Sequence, residues 1–555
     1  MSAAAVVSRF SLLDAAIAAA SLAVTLWIGV RVKRYIGTIE DYLVASRGMG
    51  LYVGAASLLS TEVGIITYMY QAQFGFVAGF SAFVVGLITL AVCLLVGRTG
   101  FVITRLREMK ILTVPEYFEK RYGRGVRVLA GVLMAFGGSL NLGIFPIIEA
   151  RFLAIVTGIP ARYLGWTMAG LLLVALAYTA IGGMVSLIVT NYVQYVFLAA
   201  GTVIVTLVCL REVGWGDMVR TVDGHMGGHG FNPVRDLGVG FIVWQVLLWI
   251  ALMTVWQSVA MRTFSTKDPA VGKKMFTLTG FLFLGRALIP MLWGIAALAF
   301  FWARAEPVGT AATPSAQVEQ LAAGLDKTYR GDIDSGRLGR ALPQVDLLER
   351  LAGQEKSRSP EAARLEALSR DRRGEIGLLA MPWMLAATLP TGLLGLVVAG
   401  MLAASISTYA GYFLGWASII AQDVVAPVLR RDLSNHSRLL LTRVTVVALT
   451  VFIMIWSLVY DLPGPAYFYL QVTANLFMAP TLIAVVGGLY WRRSSATGAA
   501  LCFVLGALAS LGYLVPQLRL DVATAGNLSW ALAVAGFVLG SLLAPPAAER
   551  REAAA

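Results

Sequence analysis

Four ionisable residues fall inside long apolar runs of this 555-residue chain: Glu62, Glu149, Arg151 and Arg286. At membrane depth such a group costs about 2.5–3.5 kcal/mol and marks a functional site by default. Glu62 stands in LLSTEVGIITYMYQ, where Ser60, Thr61 and Gly64 suit a locally unwound helix. Glycine tolerates irregular backbone, and carbonyls freed there can face a cation. Arg286 lies in FLFLGRALIPML, with Pro290 four residues on, so the proline ring opposes the Arg286 carbonyl and favours a kink. A purely structural Glu62–Arg286 ion pair is the competing reading of both. Glu149 and Arg151 are two residues apart and share no helix face. They lie near the end of their run, where Arg can snorkel, and read as structural.

A second polar group follows in the same style. Ala404, Ser407 and Thr408 sit at i, i+3 and i+4 and line one helix face. Paired hydroxyls among small neighbours suit a hard cation, which takes oxygen ligands. They also suit ordinary helix packing, and spacing alone favours packing. Tyr68, Tyr70, Trp249 and Trp256 either gate or stack on a solute, or simply pack. His225 and His229 are i,i+4 in HMGGH, but a Gly-rich loop without cysteines is a poor metal site. Cys93, Cys209 and Cys502 each sit in an apolar run with no metal or redox spacing. No nucleophile–base pair or metal-ligand cluster suggests an enzyme.

The elements that must position these groups are membrane spans. Hydrophobic residues make up 58% of the chain and charged ones 14%, against about 45–50% and about 25% in soluble proteins. A bilayer core of about 30 Å needs about 20 apolar residues per helix. Thirteen runs qualify: 10–31, 51–76, 77–104, 126–157, 163–181, 184–210, 237–261, 275–303, 386–422, 439–460, 464–490, 496–516 and 527–545. Gly182 and Gly183 predict a tight turn that makes the fifth and sixth spans antiparallel neighbours. Arg9 alone precedes the first span, while Arg31, Lys33 and Arg34 follow it. A signal peptide has the reverse arrangement, so the first span is expected to be retained.

Basic loops belong to the cytoplasm. With the N-terminus outside and the C-terminus cytoplasmic, the inner segments 31–50, 98–127, 262–274, 423–443, 492–493 and the tail after 546 hold 24 Lys or Arg; the short outer segments hold six. The net charge of +13 therefore reports sidedness and gives no support for a nucleic-acid partner. Residues 304–385 break the pattern with 12 basic and 12 acidic residues. They predict an outer, solvated helical insert, with protein contact there as the alternative.

Five stretches in order resemble the sodium:solute symporter family, the group that includes bacterial proline, pantothenate and sugar/sodium symporters. They are IEDYLVASRGMG (39–50), LTVPEYFEKRYG (112–123), AIGGMVSLIVTNYVQ (180–194), WQSVAMRTFSTKD (256–268) and LPTGLLGLVVAGMLAASIST (389–408). The resemblance implies an all-α polytopic protein of LeuT type, with a ten-helix core of two inverted five-helix repeats, 51–210 and 237–490. Residues 1–50 would precede the core, 211–236 form an outer loop, and 491–555 add two helices and a short tail. It implies broken helices around Glu62 and near Met253–Trp256, with solute bound beside the breaks. It implies a sodium ion held by the carbonyls of Ser60, Val63 and Ala404 and the hydroxyls of Ser407 and Thr408. Glu62, Arg286, Trp256 and Tyr68 would face a small-molecule substrate.

Two departures stand out. Asn191 replaces the Asp of the Thr-Asp…Gln signature, a residue the resemblance puts on the sodium exit path, so ion release or coupling is in question. Ala260 and Met261 stand where the family has a second Gln before Arg262. The function so implied is sodium-coupled symport of an amino acid, carboxylate or sugar across a lipid bilayer of the bacterial inner-membrane type. A transporter-like sensor acting through a separate partner protein is the alternative.

Overall fold

The computed structural model describes residues 8–32, 38–305, 334–354, 360–429, 434–460, 462, 464–515 and 520–546. Lys33, Arg34, Arg430, Arg431, Arg550 and Arg551, counted above as inner charges, lie outside the described residues. Among the described residues all regular elements are helices, and the isolated β-contact is a bridge between Met49 and Thr266.

In chain order, α1 (Leu12–Val32) precedes α2 (Leu51–Thr61), α3 (Ile65–Ala78) and α4 (Val84–Thr99). Next come α5 (Arg124–Gly143), α6 (Phe145–Thr157) and α7 (Leu164–Glu212). The long α7 is two spans, because Gly183 has φ 49° and ψ −156°, outside any helix. Then follow α8 (Gly238–Val255), α9 (Gln257–Ser265), α10 (Pro269–Trp302), α11 (Pro360–Thr388) and α12 (Leu393–Ile419). The described chain closes with α13 (Asn435–Val459), α14 (Ala466–Tyr490), α15 (Ala496–Leu514) and α16 (Val522–Leu543).

Eleven helical runs among the described residues are long and apolar enough to cross a bilayer, and Leu12–Ile28 and Leu51–Thr61 are shorter apolar helices. One of the eleven, Ile65–Thr99, holds two crossings. Gly97 packs on Thr277 and Gly86 on Leu288, so α4 runs antiparallel to α10. Gly54 meets Met275 and Gly294 meets Ala72, so α2 and α3 run with α10. The chain reverses at Gly79, whose φ of 59° a side chain would resist. With α1, and with α2–α3 taken as one crossing, the eleven runs become the thirteen spans read from the sequence.

The core helices touch backbone to backbone. A Cβ on Gly75 would lie 2.1 Å from the Met291 carbonyl oxygen, and one on Gly294 would lie 1.8 Å from that of Ala72. Lipid supplies no hydrophobic drive between helices, so close approach of small residues holds such crossings together. Large apolar side chains on α13 (Val444, Val451, Ile455) and α16 (Leu539, Leu543) are exposed instead, as a lipid-facing surface requires.

Two expectations about charge need correction. The insert does not stay solvated as far as 385. Residues 306–333 and 355–359 lie outside the described residues, and Leu338–Gln354 is helical. The second half of α11, however, is core. Ile376, Ala380, Met381 and Leu385 are buried, and Gln73 Nε2 donates to the Gly374 carbonyl at 2.7 Å. Counting charge over the whole window hid the apolar stretch GLLAMPWML (377–385) at its end.

Arg262 and Asp423, counted as inner-loop residues, are also interior, each with no exposed surface. Asp423 accepts from Arg127 Nε at 2.7 Å and Thr113 Oγ1 at 2.9 Å, within the π-turn Ile420–Val425 that follows α12. A buried carboxylate needs such paired, hydrogen-bonded company.

Candidate functional site

The break between α2 and α3 organises the site. In a continuous helix the Gly64 N–H would bond the Ser60 carbonyl; here it turns to Thr67 Oγ1 at 3.3 Å. Thr67 Oγ1 in turn donates to the Glu62 carbonyl at 3.1 Å. The exposed N–H groups that open α3 are satisfied from outside the helix. Ile65 N–H donates to Ser405 Oγ at 3.1 Å, and Ile66 N–H to Glu149 Oε1 at 3.2 Å. Glu149 is thus a buried carboxylate on a half-helix N-terminus, where the helix dipole favours negative charge. Reading it as structural from the sequence did not locate this partner, because the contact is long-range.

Glu62 and Arg286 meet, but not as an ion pair. Arg286 Nε donates to the Glu62 backbone carbonyl at 2.8 Å, and Nη2 donates to Tyr70 Oη at 3.2 Å. The Glu62 carboxylate accepts from the Tyr412 hydroxyl at 2.9 Å through Oε2, while Oε1 is buried without a partner. Behind the break, Arg262 donates Nη2 to Thr61 Oγ1 at 2.5 Å and Nη1 to the Ser258 carbonyl at 2.9 Å.

On the other side of the break an oxygen cluster joins α2, α7 and α12. The Ser407 hydroxyl lies 2.6 Å from Asn191 Oδ1 and 3.2 Å from the Ser60 carbonyl. It has one proton to give, and the shorter contact is to Asn191, so the Ser60 oxygen keeps lone-pair capacity. Among the described residues no hydrogen bond reaches the Val63 carbonyl. Thr408 Oγ1 lies 3.1 Å from the Ala404 carbonyl. A Cβ on Gly64 would come within 2.9 Å of that Thr408 oxygen, so the broken helix is pressed onto α12 at this point. Asn191 Nδ2 completes the cluster by donating to Thr61 Oγ1 at 3.0 Å and to Ser57 Oγ at 3.3 Å.

The second break falls at Trp256, with φ −61° and ψ 121° between α8 and α9, within the stretch expected to be interrupted. Trp256 stacks on Phe477 and meets Tyr412 and Trp416 edge-on. Together the two breaks enclose a cavity lined by Glu62, Thr67, Tyr70, Asn141, Phe145, Trp249, Trp256, Arg286, Thr408, Tyr412 and Gln471, among others. Buried polar atoms without partners border it: Glu62 Oε1, Gln471 Oε1, Trp249 Nε1 and Trp256 Nε1. Two acceptors and two donors left open around one cavity are what a polar guest would satisfy. The cavity volume is about 60 Å³, well under the ~150 Å³ that admits a benzene, so an organic solute enters only when the walls part.

Of the residues singled out in the sequence, Glu62, Arg286, Trp256 and Thr408 line this cavity. Tyr68 does not. It turns to the opposite side, stacks on Trp293 at 5.0 Å and shares a 2.6 Å hydrogen bond with Thr202 Oγ1. Helical periodicity explains the error: Tyr68 and Tyr70 are two residues apart and point to different faces. His225 stacks on Trp302 at 3.8 Å and faces Asp346, and among the described residues no group of three metal-binding side chains forms. Asn141 and Gln471 were missed. Each is a single uncharged amide in an apolar span, a weaker signal than a buried charge.

Two broken helices crossing at a polar cavity, in a bundle of thirteen spans, define a membrane transporter of the LeuT type. Residues 42–325 and 373–506 match the sodium:solute symporter family, and the chain belongs to that family. Sodium is accordingly its coupling ion, and the family is one of secondary transporters rather than enzymes. The second matched block starts at 373, which agrees with the buried half of α11.

Among curated relatives, the sodium/glucose cotransporter of Vibrio parahaemolyticus is 24% identical over 507 residues, 89% of this chain and 82% of that protein. Human sodium/glucose cotransporter 4 is 25% identical, covering 87% of this chain and 66% of its own length. Rat sodium/myo-inositol cotransporter 2 is 22% identical, with 89% and 68% covered.

Solved structures share the fold. A Na+-coupled sialic acid symporter, substrate-bound and outward-open, superposes with a TM-score of 0.72 at 16% identity, covering 97% of this chain and 98% of that one. A nucleobase-cation-symport-1 transporter, closed with bromovinylhydantoin bound, gives 0.50 at 12% identity, covering 91% and 95%.

Proposed function

We propose that this protein carries a small polar organic solute into the cell together with sodium, by alternating access. The observation that carries the reading is the double role of the α2–α3 break. One side of it faces the oxygen cluster of Ser60, Val63, Ala404, Ser407 and Thr408, and the other faces the cavity through Glu62. Unwound carbonyls and hydroxyls are the donors such folds offer to sodium. An ion bridging α2 to α12 fixes the break, and the fixed break holds Glu62, Thr67 and Arg286 where a solute meets them. Sodium moving down a membrane potential supplies about 2.3 kcal/mol per charge per 100 mV. The excess of Lys and Arg on alternate loops supports an outer N-terminus and a cytoplasmic C-terminus.

The cavity combines open acceptors, indole donors and the flat faces of Trp256, Trp249 and Phe145. That mix suits a neutral sugar or polyol, whose hydroxyls both donate and accept and whose C–H face lies on aromatic rings. The names of the relatives, glucose and myo-inositol cotransporters, point the same way. The test is uptake into liposomes under an inward sodium gradient, with labelled sugars, polyols, amino acids and monocarboxylates. Sodium-driven accumulation of at least one class is expected. Uptake of every compound unchanged by sodium overturns the proposal, and sodium binding without any transport favours a sensor.

A further inference from the structure

A second, larger cavity lies away from the solute site, on the outer wall of the bundle. Its volume is about 600 Å³, and it is framed by α4, α8, α14 and α16 through residues that include Ile250, Val486, Trp491, Trp530, Val534 and Phe537. The lining is almost wholly apolar, and Val534 is 47% exposed. Along α14 the lining runs from Leu482 to Trp491, the residue that caps the helix. Nine residues of helix rise about 13 Å, close to one leaflet of a hydrocarbon core about 30 Å thick.

The groove has one charged end. There Thr99, Phe101 and Trp491 are the lining residues, and Arg98 and Arg492 are their chain neighbours. Both arginines are exposed and, among the described residues, form no ion pair. Lys273 reaches the same end, since its side chain lies against Gly100. Phe101 and Tyr490 stack there nearly parallel, at 6.2 Å, in the manner of an interfacial aromatic belt. No acidic side chain lines the groove.

We propose that this groove binds an anionic phospholipid, one acyl chain lying along α14 and α16 and the phosphate held by Arg98, Arg492 and Lys273. Leaflet-length apolar walls alone accept any lipid tail. The unpaired cations at one end select the head, because guanidinium groups bind phosphate in charge-assisted hydrogen bonds and anionic surfaces attract each basic side chain. The site is independent of which solute the protein carries.

The test is native mass spectrometry of the purified full chain, titrated with phosphatidylglycerol or phosphatidylcholine of identical acyl chains. Phosphatidylglycerol is expected to bind about tenfold more tightly or better. The double variant Arg98→Gln/Arg492→Gln, altered only at exposed side chains, should lower that preference to parity without weakening phosphatidylcholine binding. Val534→Trp, which fills the groove, should weaken both lipids. Equal binding of the two lipids by the unaltered protein overturns the proposal, as does a preference untouched by the arginine and groove variants. A dimer that Val534→Trp abolishes would assign the groove to a second copy of the chain and equally overturn it.

Discussion

Arg286 Nε donates to the backbone carbonyl of Glu62 across 2.8 Å, and the Glu62 carboxylate is left to the hydroxyl of Tyr412. The guanidinium therefore stitches α10 to the broken helix by its backbone. A charge from one span reads the conformation of the break itself, while the carboxylate stays open to the cavity through Oε1.

Removing that stitch should loosen the break before it alters solute contacts. Arg286→Gln leaves the Glu62 carbonyl with Thr67 alone and loses a charge-assisted hydrogen bond, roughly 1.5–3 kcal/mol. A lower melting temperature and a smaller sodium-induced stabilisation are expected, read by thermal unfolding of the purified protein with and without sodium. Arg286→Lys keeps the charge but cannot hold both Glu62 and Tyr70 in a planar fork, so it should rescue only part of the loss. Wild-type melting in Arg286→Gln would show the stitch to be incidental.

Glu62→Gln asks a different question. The amide oxygen still accepts from Tyr412, so the fold should survive, but the amide nitrogen then stands where Oε1 was, and the open acceptor becomes a donor. A solute that donated to Oε1 loses a hydrogen bond to a charged group, roughly 1.5–3 kcal/mol. For a solute that donates to Oε1, KM in the liposome assay should rise about tenfold with kcat little changed. A KM that stays put would mean that the solute does not touch this residue.

How far the site was legible in the sequence follows from the kind of signal each residue emits. A carboxylate or guanidinium in an apolar run is conspicuous, so Glu62, Arg286 and Glu149 could be flagged from residue type alone. STEVG announced the α2–α3 break because Gly64 and the flanking hydroxyls suit unwound backbone. Trp256 has no such local mark, and its break was anticipated only through the resemblance. Asn141 and Gln471 carry no charge and hide among ordinary packing residues. Arg262 was assigned to a loop because a basic residue at the end of a span reads as a topology signal; only the fold brings Thr61 within 2.5 Å of it. What the sequence could not supply is which long-range partner each group meets, and Glu149 with Ile66, 83 positions apart, is the plainest case.

Asn191→Asp tests the cluster from the α7 side. Asn191 Oδ1 lies 2.6 Å from the Ser407 hydroxyl. An aspartate there places a full negative charge beside the proposed sodium ligands, in surroundings of low dielectric where charges are poorly screened. Sodium affinity, measured as the midpoint of sodium-induced thermal stabilisation, should tighten about tenfold, which is about 1.4 kcal/mol. Ser407→Ala should shift the same midpoint the other way. If neither variant moves it, the ion does not bind at this cluster.

Gly64 allows the steric and the chemical roles of Thr408 to be separated. Its φ of −125° is open to any residue, so alanine there meets no backbone strain and even restricts the unfolded chain, by about 0.4–1 kcal/mol. What alanine does meet is Thr408 Oγ1, 2.9 Å from the new Cβ, with Thr408 Cβ at 3.3 Å. The hydroxyl must yield, and the proposed sodium site loses that ligand or has it displaced. Gly64→Ala should therefore lower both stability and sodium affinity. Thr408→Ala alone should lower sodium affinity with a smaller effect on stability, since it deletes the ligand without crowding the break. Combining them removes the oxygen that Gly64→Ala collides with, so Gly64→Ala/Thr408→Ala should melt higher than Gly64→Ala while binding sodium no better than Thr408→Ala. Residues in contact are expected to be non-additive in this way. Strictly additive losses in melting temperature would show that the two side chains do not meet and that the α2–α3 break stands off from α12.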